Sequence, residues 1–247
     1  MYGIIGKNTN QKEELIMRLI LVRHGEPDYV LDNLTALGEK QAVAAAERLA
    51  GEGIDEIWSS TCGRAMLTAE ATAKRLGMAV QPIEFMRELR WGSTEERPAP
   101  CDGHPWDTAD LLIREGVDLR LPDWEEHPYF RNTMLLEAIR KVRAGADVWL
   151  EELGYRREGC YYRCVRENGR TVALFSHAGS SSALVSHILS LPFPFVCPTI
   201  QPNFTGISVI DFGGKEGDRI APILSLGTDN RHIEHLDNRP NRYKNGD

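Results

Sequence analysis

Leu19-Ile20-Leu21-Val22 is the stretch that most restricts what this chain can fold into. A short unbroken apolar run of this kind suits a strand buried on both faces, as in the middle of a parallel sheet. It follows Met17-Arg18 and stops at Arg23-His24-Gly25-Glu26-Pro27, where Gly and Pro end the strand and open a loop. Thr35 reads as the N-cap of a helix, and Glu39 puts a negative charge in its first turn, where it suits the helix dipole. Ala-rich Gln41 to Ala50 continues the helix, and Gly51 and Gly53 end it. Ile54 to Trp58 reads as the next strand, Gly63 to Leu76 as a helix stopped by Gly77, and Val80 to Glu84 as a short third strand. Strands alternating with helices predict one three-layer α/β/α domain, its sheet mostly parallel and covered on both faces.

Residues 93–130 break the rhythm with Pro98, Pro100, Pro105, Pro122 and Pro128. Only Thr108 to Glu115 reads as a short helix there. The segment reads as an insertion, either a lid over a binding site or an ordered cover on an apolar patch. From Leu135 to Leu153 apolar residues return at helical spacing and predict a long helix over 132–153, with Gly145 as a point of interruption. Asn168-Gly169 between Tyr161–Val165 and Thr171–Phe175 predicts a hairpin, and so at least one antiparallel strand. Ser180 to Leu189 reads as a helix, Gly206 to Asp211 and Ile220 to Leu226 as the last strands. The domain would span 17–228. Met17 could serve as a start, leaving 1–16 as a dispensable extension, and 229–247 reads as a loose polar tail.

The formal charge is −7, from 29 Lys+Arg against 36 Asp+Glu, which argues against nucleic acid as the main partner. No apolar run is long enough for a membrane helix, and Met1 to Ile16 lacks the order of a signal peptide. The expectation is a cytoplasmic protein. The cysteine count is odd, five, and the spacing is not that of a disulfide framework. Cys160 and Cys164 lack the partners of a zinc site, and His232 and His235 fit a surface tail.

The chemistry gathers where strands end. Val22 is followed by Arg23-His24-Gly25, Trp58 by Ser59-Ser60 and Arg64, and Phe175 by Ser176-His177-Ala178-Gly179. In an open α/β sheet the carboxyl ends of parallel strands share one edge, where ligands bind. Adjacent strands would bring two Arg and two His into one cleft, and the following helices would aim N-terminal amides there. Guanidinium forks match phosphoryl oxygens, and an imidazole can attack phosphorus. The set points to a phosphoryl group.

These residues also carry a resemblance. Leu19-Ile20-Leu21-Val22-Arg23-His24-Gly25-Glu26 resembles the signature of the histidine phosphatase superfamily, which includes the cofactor-dependent phosphoglycerate mutases. Ser59-Ser60-Thr61-Cys62-Gly63-Arg64-Ala65 with Thr68-Ala69, Arg87-Glu88-Leu89-Arg90-Trp91-Gly92, and Ser176-His177-Ala178-Gly179 resemble its further motifs, in the family's order. The resemblance covers 17–228, with 93–130 matching poorly. It implies a phosphoglycerate mutase-like fold with a lid-like insertion. It implies His24 as the nucleophile that becomes a phosphohistidine, and Arg23, Arg64, His177 and Ala178 as phosphate contacts. Glu88 would be the acid that protonates the leaving alkoxide and then helps deprotonate the attacking water; Glu95 and Glu96 are its nearby rivals. It implies no metal and no cofactor. Trp106, Arg114 and Trp124 in the insertion become candidate substrate contacts, with His104, Arg120 and Arg131 beside them.

One departure bears on the reaction. Family mutases follow Arg-His-Gly-Glu with Ser or Thr and then place an Asn six positions after the His. Here Pro27-Asp28-Tyr29 follows, Val30 stands at the Asn position, and Asn33 is displaced. The expectation is therefore a phosphomonoesterase acting on a small phosphorylated metabolite. A mutase or phosphotransferase and a non-catalytic phosphate-binding regulator are the alternatives, and a homodimer is left open.

Overall fold

The computed structural model describes residues 15–94, 99–131 and 133–236. In chain order the strands and helices are β1 (Met17–Arg23), β2 (Pro27–Asp28), β3 (Asn33–Leu34), α1 (Ala36–Leu49), β4 (Glu56–Ser60), α2 (Gly63–Leu76), β5 (Val80–Ile83), α3 (Pro105–Arg114), α4 (Pro128–Arg131), α5 (Met134–Glu152), β6 (Tyr155–Glu158), β7 (Tyr161–Cys164), β8 (Thr171–Ser176), α6 (Ala178–Ile188), α7 (Phe193–Thr199), β9 (Ile207–Phe212), β10 (Arg219–Ile220) and β11 (Ile223–Asp229). Among the described residues the main sheet has six strands in the order β11-β9-β1-β8-β4-β5. β1, β8, β4 and β5 run parallel, and β9 is antiparallel to both of its neighbours.

Side-chain alternation builds the three layers. On β1, Leu19 and Leu21 enter one core while Ile20 and Val22 enter the other. Val172 and Leu174 of β8 oppose Ala173 and Phe175 in the same way. The first core lies under α5, α6 and α7; the second lies under α1 and α2, with Leu49, Ala69 and Ala73. Thr35 caps α1 as expected, its hydroxyl accepting from the Gly38 amide at 3.1 Å. Gly77 ends α2 in the left-handed conformation, φ 69°.

Three expectations need correction. Asn168-Gly169 does not turn a hairpin. β8 is apolar and buried along nearly its whole length, so it pairs in parallel between β1 and β4 at the centre of the sheet. Asn168 instead donates to the Leu153 carbonyl at 2.8 Å, and β7 pairs with β6 and β10. The antiparallel strand is β9. Second, α5 runs uninterrupted through Gly145, because Phe85 packs where a Cβ there would sit. Third, the C-terminal segment is not loose as far as Leu236. Ile233 is fully buried, and half-buried His232 meets the Thr205 hydroxyl at 3.1 Å. Residues 237–247 of the expected tail, residues 1–14 of the expected extension, and Glu95 and Glu96 lie outside the described residues.

The described part of the insertion is ordered and built into the core. Trp124 is buried against Phe130 and Phe193, and Leu112 and Leu119 join the same cluster. The Trp106 indole donates to the Cys197 carbonyl of α7 at 3.1 Å.

Two glycines clasp the loop after β1 to the start of α1. A Cβ on Gly25 would stand 2.6 Å from the Gly38 carbonyl oxygen, and one on Gly38 would run into the Glu26 carbonyl. Gly38→Ala is therefore expected to cost about 2 kcal/mol, the usual scale for forcing atoms into a packed place. Urea unfolding of the variant and the parent measures this. Equal midpoints would mean that the loop yields freely.

Candidate active site

The sheet edge assembles the site through its register. Arg23 at the end of β1 lies opposite Ser176 at the end of β8, and Ser59 of β4 lies opposite Phe175. The residues that follow these strands therefore start from one edge. The His24 amide donates to the Ser176 carbonyl at 2.9 Å, tying the two turns together. The His24 and His177 rings stand 5.1 Å apart.

His24 is held in one tautomer. Its Nδ1 lies 2.6 Å from the Gly25 carbonyl, which only accepts, so Nδ1 carries the proton. Nε2 therefore keeps its lone pair and accepts from Arg64 Nε at 3.4 Å. Burial, with Arg23 and then Arg64 adding like charge, pushes the His24 pKa well below its ordinary value. The ring is neutral at neutral pH.

His177 follows β8 directly and stands at the N-cap position of α6. It is fully buried, and its Nε2 lies 2.8 Å from the Ser60 hydroxyl. Its Nδ1 is a buried polar atom with no partner among the described residues. Burial, followed by the electrostatic influence of His24, Arg64 and Arg23, also pushes the His177 pKa well down.

Arg23 donates to the Pro202 carbonyl at 2.9 Å, and its guanidinium lies 4.3 Å from the Phe204 ring centroid. Arg64 projects from the first turn of α2 and is 9% exposed. The Thr68 hydroxyl, one turn later, donates to the Arg64 carbonyl and accepts from the Gly25 amide at 3.0 Å. It thus couples the α2 turn to the His24 loop. Glu88 is half-buried, and one carboxyl oxygen accepts from the Leu89 and Ser180 amides at 2.9 and 3.1 Å. Gly179 permits this approach, since a Cβ there would stand 2.6 Å from that oxygen. Burial raises the Glu88 pKa despite the opposing pull of those amides and of Arg23 and Arg64.

A cleft of about 950 Å³ opens onto Arg64 and Glu88 and is lined by Tyr29, Asp32, Arg87, Arg90 and residues of α5. Neither Trp106, Arg114 nor Trp124 is among its lining side chains. Trp124 belongs to the core, Trp106 is tied to α7, and Arg114 is exposed at the end of α3. His104 pairs with Asp107, Arg120 pairs with Asp118, and Arg131 is exposed. The apolar bodies of both tryptophans are used to hold the insertion down, which sequence spacing could not reveal. Ala178 starts α6 beside His177 and is buried.

Sequence reasoning gave no role to Ser60, Thr68, Tyr29 or Asp32. Ser60 and Thr68 lay inside a quoted motif, so the signal was present. Asp32 had no signal at all.

The family model described as histidine phosphatase superfamily (branch 1) matches residues 19–220. The chain belongs to that superfamily. Within it, the chain is 29% identical over 231 residues to a probable phosphoglycerate mutase of Yersinia enterocolitica, covering 89% of this chain and 96% of that protein. It is 26% identical over 215 residues to 2-carboxy-D-arabinitol-1-phosphatase of Triticum aestivum, covering 82% of this chain and 38% of that one. The phosphoglycerate mutase-like fold is shared with a mycobacterial glucosyl-3-phosphoglycerate phosphatase, with TM-score 0.58 and 23% identity over 87% of this chain and all of the other. It is likewise shared with the phosphoserine phosphatase of Entamoeba histolytica, with TM-score 0.56 and 22% identity over 88% and 99% of the two chains. Both mutases and phosphatases thus stand among this superfamily member's relatives.

Proposed function

We propose that the chain is a metal-independent phosphomonoester hydrolase working through a phosphohistidine at His24. The observation that carries this is the pinned His24 ring. Its proton is spent on the Gly25 carbonyl, and its unprotonated Nε2 faces Arg64. In the first step the Nε2 lone pair forms a bond to phosphorus as the ester P–O bond breaks. The Glu88 carboxyl, whose pKa burial raises, gives its proton to the leaving alkoxide. In the second step a water oxygen attacks phosphorus and the P–N bond breaks. Glu88 takes the water proton, and His24 returns neutral with Nδ1–H still on Gly25.

Phosphoryl transfer demands positioning and positive charge around three equatorial oxygens. Arg23 and Arg64 supply that charge. The Ser60 hydroxyl accepts from the Cys62 amide at 3.3 Å and lies 2.8 Å from His177 Nε2, to which it donates in this reading. His177 Nδ1 then holds a proton for a phosphoryl oxygen. Ala178 lends its position at the α6 N-terminus, where the helix dipole favours an anion.

The loop after the nucleophile favours hydrolysis over isomerisation. Val30, at the position of the mutase Asn, is 94% exposed at a loop tip. Asn33 is exposed, and its side-chain oxygen accepts from the neighbouring Leu34 amide. Neither places an amide on the phosphoryl group to hold a bisphosphorylated intermediate. The Arg23 and Arg64 guanidiniums and the α6 N-terminus at this edge agree with a phosphorylated small molecule as substrate.

A panel of phosphomonoesters, including the phosphoglycerates, tests this. Inorganic phosphate should be released at a rate unchanged by chelator. Interconversion of 2- and 3-phosphoglycerate without phosphate release would make the chain a mutase, and strong inhibition by chelator would make it a metal enzyme.

A further inference from the structure

The Tyr29–Asp32 loop lies on both of the arginines that the phosphoryl group requires. The Asp32 carboxylate holds Arg64 Nη1 at 2.5 Å with one oxygen and accepts from the Gly63 amide at 2.7 Å with the other. It therefore occupies the guanidinium and the first amide of α2 together, which is the pair of donors an anion would take. The Tyr29 ring lies 5.5 Å from the Arg64 guanidinium, and Tyr29 is close enough to Arg23 to act on it electrostatically. The fit is built into the backbone. Asp32 adopts φ 48°, uncommon for a residue other than glycine, and a Cβ on Gly63 would run into the Asp32 carbonyl. Asp28 braces the turn by accepting from the Val30 and Leu31 amides at 2.9 and 3.2 Å.

A second observation points the same way. His24 is only 1% exposed, while the loop tip at Val30 and Leu31 is 94% and 72% exposed. The nucleophile is covered, and the tip of the loop beside its arginines projects into solvent. An ester that reaches Nε2 must share or take Arg64.

From this we infer that Asp32 sets the phosphate affinity of the site, its carboxylate competing with the phosphoryl group for Arg64 and the Gly63 amide. The inference rests on the phosphatase reading and deepens it. A hydrolase gains from releasing inorganic phosphate quickly, whereas a mutase must retain a phosphorylated intermediate. A carboxylate that returns to Arg64 favours release. Asp32 is a positioning residue for Arg64 and takes no part in bond making.

The test is the affinity of the full chain for inorganic phosphate, measured by titration calorimetry, which needs no turnover. Asp32→Asn keeps an acceptor for the Gly63 amide and removes only the charge. Relieving one like charge at this range should tighten phosphate binding about tenfold. Asp32→Glu, which keeps the charge, should stay within about twofold of the parent, since it changes reach rather than sign. Asp32→Ser also keeps an acceptor and should shift affinity in the same direction as Asp32→Asn. Phosphate affinity unchanged or weakened in both neutral variants would overturn the inference, even if the parent hydrolyses esters well. Tightened binding in a protein that hydrolyses no ester would keep Asp32 as the competitor and remove the hydrolase reading instead.

Discussion

His24→Ala should abolish turnover of every phosphomonoester the parent accepts, with a loss of at least about 10⁴-fold, because the covalent route ends with its nucleophile. No nearby group can take over. The His177 ring stands 5.1 Å from that of His24, and its Nε2 is engaged by Ser60. The fold should survive, because His24 ties its turn to β8 through its backbone amide rather than through the ring. Thermal unfolding of the variant separates loss of chemistry from loss of structure. Undiminished turnover in a folded His24→Ala protein would remove His24 from the reaction.

Glu88→Gln should have the second-largest effect, and that effect should depend on the leaving group. An alkyl phosphate needs a proton on its departing oxygen, so the loss should be about 10²–10⁴-fold, the usual range for general acid catalysis. An aryl phosphate with an acidic phenol leaves without that help, and its first step should fall much less. An equal loss for both classes would assign Glu88 a structural role, such as capping α6 through the Ser180 amide. The pH profile gives the same assignment independently. Glu88 works as the acid while protonated, and burial raises its pKa, so activity should decline as pH rises through that raised value. His24 must be neutral, and burial lowers its pKa, so the acid-side decline should lie well below the ordinary imidazole range. The two shifts move the two limbs in opposite directions, the His24 limb toward acid and the Glu88 limb toward base. In Glu88→Gln the high-pH limb should disappear while the low-pH limb stays.

What the sequence revealed of this site follows from physics local to the chain. The run Leu19–Val22 is apolar at every position because both faces of β1 are covered, and that continuity is visible without a partner strand. Arg23, His24, Arg64 and His177 stand immediately after strands or in a first helical turn, so finding the strands found the edge where they meet. Glu88 came through the family motif, because the short segment after β5 has no periodicity of its own. What stayed hidden depends on tertiary competition. Asn168-Gly169 reads as a hairpin only until β8 is claimed by β1 and β4 on its two sides. Trp124 and Trp106 were candidates because aromatic side chains serve equally for binding and for packing; here they pack. Asp32 was invisible because a carboxylate in a short polar loop looks like any solvated charge. Only the placement of Gly63 and Arg64 beneath it gives it a partner. The same holds for Ser60, whose hydroxyl acquires a role only when His177 of another strand end comes within 2.8 Å.

The arrangement also explains how a chain of net charge −7 can accept an anion. Two arginines and two neutral histidines converge at one sheet edge, with the N-termini of α2 and α6 beside them. The acidic excess of the chain as a whole aids solubility, while the two guanidiniums set positive charge at that edge. Asp32 is the counterweight to that charge.

The central claim is covalent transfer to His24, and the most direct measurement is to trap it. The full chain is mixed with a phosphomonoester it hydrolyses and quenched during turnover, then digested at a pH that preserves phosphoramidates and sequenced by mass spectrometry. The account predicts one acid-labile phosphoryl group on the peptide containing Arg23-His24-Gly25, assigned to His24, and none in His24→Ala. A phosphoryl group stable to acid, one on another residue, or steady hydrolysis with no phosphorylated peptide would contradict it.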